Sequence, residues 1–352
     1  MGHHHHLESP INSPTPGFLF AGQRTESTFE GIPVIDFSDA SSTDLVKRRA
    51  LAELIRDASI NIGFFYINNH GISDARISGA VEAGKQFFAL PIEAKMKLDV
   101  RTTPNFRGYT SLLQENANPA GLGDLHEGFD IGWEPEPAPK GPSVSAAIDG
   151  SMYGSNVWPN ELPSFKEALL AYYREAVDVG KLLFPLFALA LDLPENFFDD
   201  KTTRPAAIMR VLHYPPQPPN VEADGRQIGI GAHTDYECFT ILWQDRVGGL
   251  QVQNTAGKWI DAVHIPGTLV VNLGDQFARW TNDVFKSTPH RAINRSGLER
   301  YSMPLFFGTD YDVLLEPIST CVSPESPGKY EVITAGDYVK SRLEATYAPL
   351  VK

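Results

Sequence analysis

From Ala207 onward the chain breaks into short β-rich runs separated by Gly, Pro and Asp: Met209–Tyr214, Ile228–Ala232, Phe239–Trp243, Leu250–Gln253, Lys258–Ala262, Thr268–Asn272, His290–Asn294 and Tyr301–Phe307. Eight short strands at this spacing predict a closed barrel or a two-sheet jelly roll. The preceding part has a different texture. Ile32-Pro33-Val34-Ile35-Asp36-Phe37 reads as a short apolar strand. Ser42 or Thr43 is placed to cap a helix reaching about Ile60, with Leu45, Leu51, Leu54 and Ile55 on one face. Gly63 to Asn68 reads as a buried strand, followed by turn chemistry at Asn69-His70-Gly71. A second amphipathic helix spans about Ser73 to Leu90, and a third starts at Pro91 as its first helical residue. Residues 99 to 160 are rich in Gly, Pro and Asn with little periodicity, which predicts a long loop of functional type. Pro163 opens a long helix to about Leu193, with a bend expected at Pro185, and a last helix runs from Ala335 to Tyr347.

Charge and hydropathy remove some functions. The net charge is −13 and no Lys/Arg cluster offsets it, so a phosphate-binding groove for nucleic acid is not expected. The longest apolar stretch, Leu182 to Leu191, is interrupted by Pro185 and falls well short of the roughly 20 residues that span a bilayer. A buried helix is the expectation there, and no membrane partner. Cys238 and Cys321 form no CxxC motif, which fits two reduced core thiols in a cytoplasmic protein.

Outside the histidine-rich N-terminal tail there are six histidines: His70, His126, His213, His233, His264 and His290. In His233-Thr234-Asp235, residues i and i+2 of an extended backbone project to one face, bringing an imidazole and a carboxylate together. A third ligand from a distant strand would complete a facial triad with open coordination positions, suited to Fe(II) and O₂. His290 is the best third ligand. Alone, the HxD pattern is better explained by structural hydrogen bonding. Its companions alter that balance. Arg300 and Ser302 share a strand face ten residues after His290, and together they can grip a carboxylate through parallel charge-assisted bonds and a hydroxyl. Tyr214 can add a phenol hydrogen bond to the same carboxylate.

These motifs, in this order, resemble the isopenicillin N synthase-like 2-oxoglutarate/Fe(II) oxygenases. Gly63-Phe64-Phe65, Asn69-His70-Gly71-Ile72, Gly248-Gly249-Leu250-Gln251-Val252 and Asn272-Leu273-Gly274-Asp275 extend the resemblance over about Gly31 to Tyr347. The resemblance implies a fold that is mostly β with flanking helices: a double-stranded β-helix (jelly roll) core with an N-terminal α/β subregion. The His3–His6 run with Leu7-Glu8 reads as an expression tag (1–8) and the Ser-, Pro-, Thr- and Gly-rich stretch after it as an extended arm (9–31); the rest divides into an N-terminal subregion with a substrate loop (32–160), a long helix (161–200), the Fe(II)/2-oxoglutarate core (201–315) and a C-terminal segment with a helix (316–352). The resemblance implies Fe(II) at His233, Asp235 and His290, with 2-oxoglutarate at Arg300, Ser302 and Tyr214. It implies O₂-dependent hydroxylation, desaturation or cyclisation of a small organic metabolite, with release of succinate and CO₂, by a monomer or weak homodimer. His70 falls in a structural motif of the family, and His213 and His264 are expected on strands facing away from the metal.

Two branches of the family bear on the substrate. Met209-Arg210-Val211-Leu212-His213-Tyr214 and Ala278-Arg279-Trp280-Thr281-Asn282-Asp283 look like fungal thymine 7-hydroxylase-like enzymes, in which positions matching Arg210, Tyr236 and Phe306 contact substrate. An arginine beside aromatic faces suits a flat or polar ligand, although Arg210 paired with an acid and Phe306 in the core explain the same residues equally well. Ile228 to Tyr236 and Ser287-Thr288-Pro289-His290 are similar to the microbial ethylene-forming enzyme, and Glu115 falls where that enzyme has acids near its arginine cosubstrate. Ala345 departs from it, standing where that enzyme carries an arginine. The alternatives are ethylene-forming fragmentation of 2-oxoglutarate, a 2-oxoglutarate-independent oxidase, a zinc hydrolase on the same ligands, and a non-catalytic scaffold.

Overall fold

The computed structural model describes residues 28–116, 123–134, 152–217 and 228–347. The expected tag and most of the expected arm lie outside them. The first part of the chain runs β1 (Val34–Asp36), α1 (Leu45–Asn61), β2 (Phe64–Asn68), α2 (Asp74–Phe88), α3 (Ile92–Met96), β3 (Gly108–Thr110), β4 (Glu127–Gly132) and α4 (Pro163–Ala190). The second part runs β5 (Ala207–Tyr214), β6 (Ile230–His233), β7 (Phe239–Gln244), β8 (Leu250–Gln253), β9 (Trp259–Asp261), β10 (Thr268–Leu273), α5 (Asp275–Trp280), β11 (His290–Ala292), β12 (Arg300–Phe307) and α6 (Ala335–Tyr347).

The strands form two sheets. The larger has the order β1-β2-β10-β7-β12-β5-β4-β3, the smaller β6-β11-β8-β9. This is the expected jelly roll, widened at both edges of its larger sheet by strands from the N-terminal part. Strand periodicity assigns each face. On β5, Ala207, Met209 and Val211 join the main core, whereas Ile208, Arg210, Leu212 and Tyr214 line a cavity. On β12, Tyr301, Met303, Leu305 and Phe307 face that core, and Arg300, Ser302, Pro304 and Phe306 face the cavity.

Helices α1, α2 and α4 cover the core face. Phe187, Phe239, Phe277 and Phe307 are fully buried there, and burying such a side chain stabilises the fold by about 1.5–3 kcal/mol. Helix α4 approaches β12 closely because residue 180 is glycine: a Cβ there would stand 2.3 Å from the Phe307 ring. Cys238 and Cys321 are buried and unpaired, as expected of reduced core thiols. Among the described residues no helix is long and apolar enough to cross a membrane.

Several local expectations need correction. The N-cap of α1 is Asp44, whose carboxylate accepts from the Val46 N–H, while Ser42 supports Asp44 itself. Leu51 and Ile55 are buried, but Leu45 and Leu54 are exposed, because the buried stripe follows Leu51, Ile55 and Ala58. Pro91 caps α3 from an extended backbone instead of opening it. His264 lies outside the strands. Most importantly, the 99–160 segment contains β3 and β4, and β4 pairs with β5 along its length. Its glycines hid it: Gly128 passes under the Arg210 side chain, and a Cβ at Gly132 would meet the Arg107 guanidinium at 2.7 Å.

Candidate active site

His233 ends β6 and His290 opens β11, and the two are direct register partners across that antiparallel pair. Asp235 lies two residues past the strand end, in an irregular stretch. The three side chains offer ligand atoms within 4.8 Å of one another. Asp235 Oδ1 is 3.6 Å from His233 Nε2 and 3.5 Å from His290 Nε2. Each imidazole donates Nδ1–H to a backbone carbonyl, His233 to Gly231 at 2.8 Å and His290 to Thr288 at 3.1 Å. That fixes the tautomer and leaves both Nε2 lone pairs facing inward. The other oxygen of Asp235 accepts from Thr240 Oγ1 and from Asn272 Nδ2, the latter at 2.7 Å. With the histidines protonated, burial pushes Asp235 up, but the charge of His290 and hydrogen bonds from both histidines outweigh it and hold the carboxyl well below the usual carboxylate range; loss of those protons frees both Nε2 atoms for a metal. Two neutral imidazoles and one carboxylate on one side of a cavity are a donor set for a divalent transition metal with open positions.

Arg300 lines the same cavity and is 1% exposed. Its Nε donates to the Gly248 carbonyl and its Nη2 reaches Gln244 Oε1 at 3.5 Å. Nη1 is buried with no protein partner, an orphan donor that a ligand carboxylate would satisfy. Ser302, two residues along the same face, also lines the cavity. Tyr214 is the register partner of Arg300, and the guanidinium sits over its ring, 4.4 Å from the centroid. The ring thus holds Arg300 by a cation–π contact, a role the sequence did not suggest.

The outer cavity wall gathers the remaining expected residues. Arg210 donates to both oxygens of Asp130, at 2.7 and 2.8 Å, and to Glu115 at 2.7 Å. Glu115 also bonds His126 at 3.1 Å. The pairing of Arg210 with acids is therefore realised, within the cavity wall. Burial raises the Asp130 pKa despite the Arg210 charge. Tyr236 and Phe306 line the cavity, as do Val339 and Leu343 of α6. Ala345 is exposed. His213 points away from the metal ligands toward Glu127, and His70 accepts the Ile72 N–H, both as expected.

Sequence reasoning missed Asp130, Glu237, Thr240 and Asn272. Thr240 and Asn272 carried a signal: each is a polar residue at an inward position of a strand whose alternate residues, Phe239 and Ile241 or Val271 and Leu273, are core. Glu237 also lines the cavity; burial first, then the charge of Asp235, pushes its carboxyl up to about 8.

A jelly roll with two histidines, a carboxylate and a buried arginine in one cavity defines the class of non-haem iron oxygenases that use a 2-oxo acid. Family models agree: residues 32–161 match the non-haem dioxygenase in morphine synthesis N-terminal family, and residues 205–309 match the 2OG-Fe(II) oxygenase superfamily. The chain belongs to the 2OG-Fe(II) oxygenase superfamily and is a 2-oxoglutarate-dependent dioxygenase with Fe(II), 2-oxoglutarate and O₂ as its cofactor and cosubstrates. It is 38% identical to the 2-oxoglutarate-Fe(II) type oxidoreductase ppzC of Metarhizium rileyi, covering 89% of this chain and 86% of the relative. Identity to the oxidoreductase hxnY of Emericella nidulans is also 38%, covering 90% of each. The crystal structure of the full-length Neurospora crassa thymine 7-hydroxylase in complex with alpha-KG and thymine superposes with a TM-score of 0.79 at 31% identity, over 90% of this chain and 97% of that one.

Proposed function

We propose that His233, Asp235 and His290 hold Fe(II), that Arg300 and Ser302 hold the distal carboxylate of 2-oxoglutarate above the Tyr214 ring, and that Arg210, Tyr236, Phe306 and Glu115 shape the pocket for a small organic substrate. The observation that carries this reading is the buried, unpartnered Nη1 of Arg300 in the cavity that the three metal-ligand candidates open onto. A zinc hydrolase would have no use for that donor.

Bound iron supplies activation of O₂ with oxidative decarboxylation of 2-oxoglutarate to succinate and CO₂, coupled to substrate oxidation. The chain supplies geometry. Thr240 and Asn272 fix one Asp235 oxygen so that the other is aimed at the metal. Gly248 and Gln244 fix the guanidinium plane, leaving Nη1 for the carboxylate. Leu212, Leu242, Leu250 and Phe306 give the cavity apolar walls that exclude water from the reacting centre. The pocket beyond, with aromatic faces and a charged wall, suits the flat or polar small molecule read from the sequence. The protein acts in the cytoplasm as a monomer or weak homodimer on this reading, with neither nucleic acid nor membrane as partner.

The test is Asp235→Ala. Metal analysis should show loss of bound iron, and Fe(II)-dependent conversion of 2-oxoglutarate to succinate should disappear. Iron content and succinate yield matching the unmodified protein would reject the ligand assignment.

A further inference from the structure

Glu237 is a buried acid that the metal and cosubstrate assignments leave without a role. It lies between Asp235 and β7, is 7% exposed, and lines the substrate cavity. Among the described residues no lysine, arginine or histidine makes an ion pair with it; Arg210 of the same cavity pairs with Glu115 and Asp130. Other buried acids nearby are matched. Glu127 has Lys95 and His213, and Asp130 has Arg210. Asp124 accepts the Gly231 N–H.

The backbone around Glu237 is held on both sides. Asp275 N–H donates to Asp235, Gln276 N–H to Tyr236 and Gly274 N–H to Cys238, while Cys238 N–H donates to Phe307. Glycines make this approach possible. A Cβ at Gly274 would stand 2.3 Å from the Glu237 carbonyl, and one at Gly308 would stand 3.4 Å from its side chain. A carboxyl fixed this firmly at the wall of a ligand cavity, with no cation of the protein paired to it, is placed to meet a cationic ligand, which would favour its ionised form over the neutral one that burial favours. Glu237 lines the same cavity as Asp235 and Arg210. That wall is already acid-rich. Glu115, Asp124 and Asp130 share it, and its arginines are engaged: Arg210 with two acids, Arg291 with Gln251 and the Trp259 ring.

We infer that Glu237 determines specificity by pairing with a protonated nitrogen of the substrate, which is therefore a small organic base such as an amine or guanidine. The base sits with its nitrogen at Glu237 and the carbon to be oxidised toward His233, Asp235 and His290. This rests on the proposed reading of the cavity as the substrate pocket.

The experiment uses the full chain with Fe(II) and 2-oxoglutarate, and a panel of matched triples: benzylamine, benzyl alcohol and benzoate; agmatine, 1,5-pentanediol and glutarate. Succinate formed above the substrate-free rate is the readout. The amine and guanidine members should stimulate turnover of the unmodified protein. Glu237→Gln should raise their KM about 10- to 150-fold, the worth of one charge-assisted contact, with a smaller change in kcat. It should also move preference toward the alcohols, while Glu237→Asp recovers part of the cation preference. The preference ratio does not depend on the folded fraction, so a destabilised variant still reports. Stimulation confined to alcohols or carboxylates, stimulation by no member, or an unchanged preference in Glu237→Gln would overturn the inference. Absence of any iron-dependent 2-oxoglutarate decay in the unmodified protein would instead overturn the site assignment beneath it.

Discussion

Replacing Arg300 by lysine keeps the positive charge and removes the fork. In the structure Nε is fixed on Gly248, Nη2 faces Gln244, the plane rests over Tyr214, and Nη1 is the donor left for a ligand. A lysine ammonium can reach a carboxylate oxygen or the Gly248 carbonyl but cannot hold both as the guanidinium does. Losing one charge-assisted hydrogen bond costs about 1.5–3 kcal/mol, or roughly 10- to 150-fold in affinity. Arg300→Lys should therefore raise the KM for 2-oxoglutarate by that factor and leave Fe(II) affinity within about threefold, since the side chain touches none of the metal-ligand candidates. The unpaired Gly248 carbonyl should also lower stability by about 1–3 kcal/mol, visible in a urea transition. The assay is succinate formation against 2-oxoglutarate concentration, with iron titrated separately. An unchanged KM for 2-oxoglutarate, or a loss falling on iron alone, would refute the assignment of Nη1.

Two further outcomes follow from neighbouring geometry. Asn272→Ala removes a donor that orients Asp235, so Fe(II) affinity should fall about 10- to 100-fold by metal titration, with the 2-oxoglutarate KM at saturating iron little changed. Lys95→Met leaves Glu127 buried without its ammonium and should cost about 3–5 kcal/mol in urea unfolding at neutral pH. The same pair gives a pH signature. Burial raises the Glu127 pKa, but hydrogen bonds from His213, Lys95 and Tyr109 outweigh it and hold the group below its ordinary 4.5. A depressed carboxylate stabilises the fold above its ordinary pKa, and that contribution is lost as pH falls through the folded value. The stability gap between the unmodified protein and Lys95→Met should thus narrow below about pH 4.5; a constant gap would show that Glu127 stays ionised or was never stabilised by the lysine.

Much of this was readable in the chain. Short β-rich runs separated by Gly, Pro and Asp located all eight core strands, and β5, β7, β10 and β12 bury alternate Val, Leu, Ile, Met and Phe residues on the helix side. The metal-ligand and arginine candidates stood out because the chemistry needs those residue types, and the structure gathers them. Strand β4 did not stand out. Its cavity face is Gly128, Asp130 and Gly132, and its other face includes the charged Glu127, matched by Lys95, His213 and Tyr109 from elsewhere in the chain. Its order comes from partners distant in sequence, which local propensity does not encode. The stacked role of Tyr214 was hidden for a related reason: only the register that sets it opposite Arg300 reveals it.

That β6 is the outermost strand of the smaller sheet has a consequence for how this fold opens and closes. Its sole neighbour in that sheet is β11, and one proposed metal ligand sits on each. An ion bound there would act as a rivet between these two strands, adding strong bonds where the ladder has only two paired positions. Loading the metal should therefore slow amide exchange in β6 and β11 more than in β7 or β10, which lie in the middle of the larger sheet. Iron in such a place would be a structural fastening as well as a reagent.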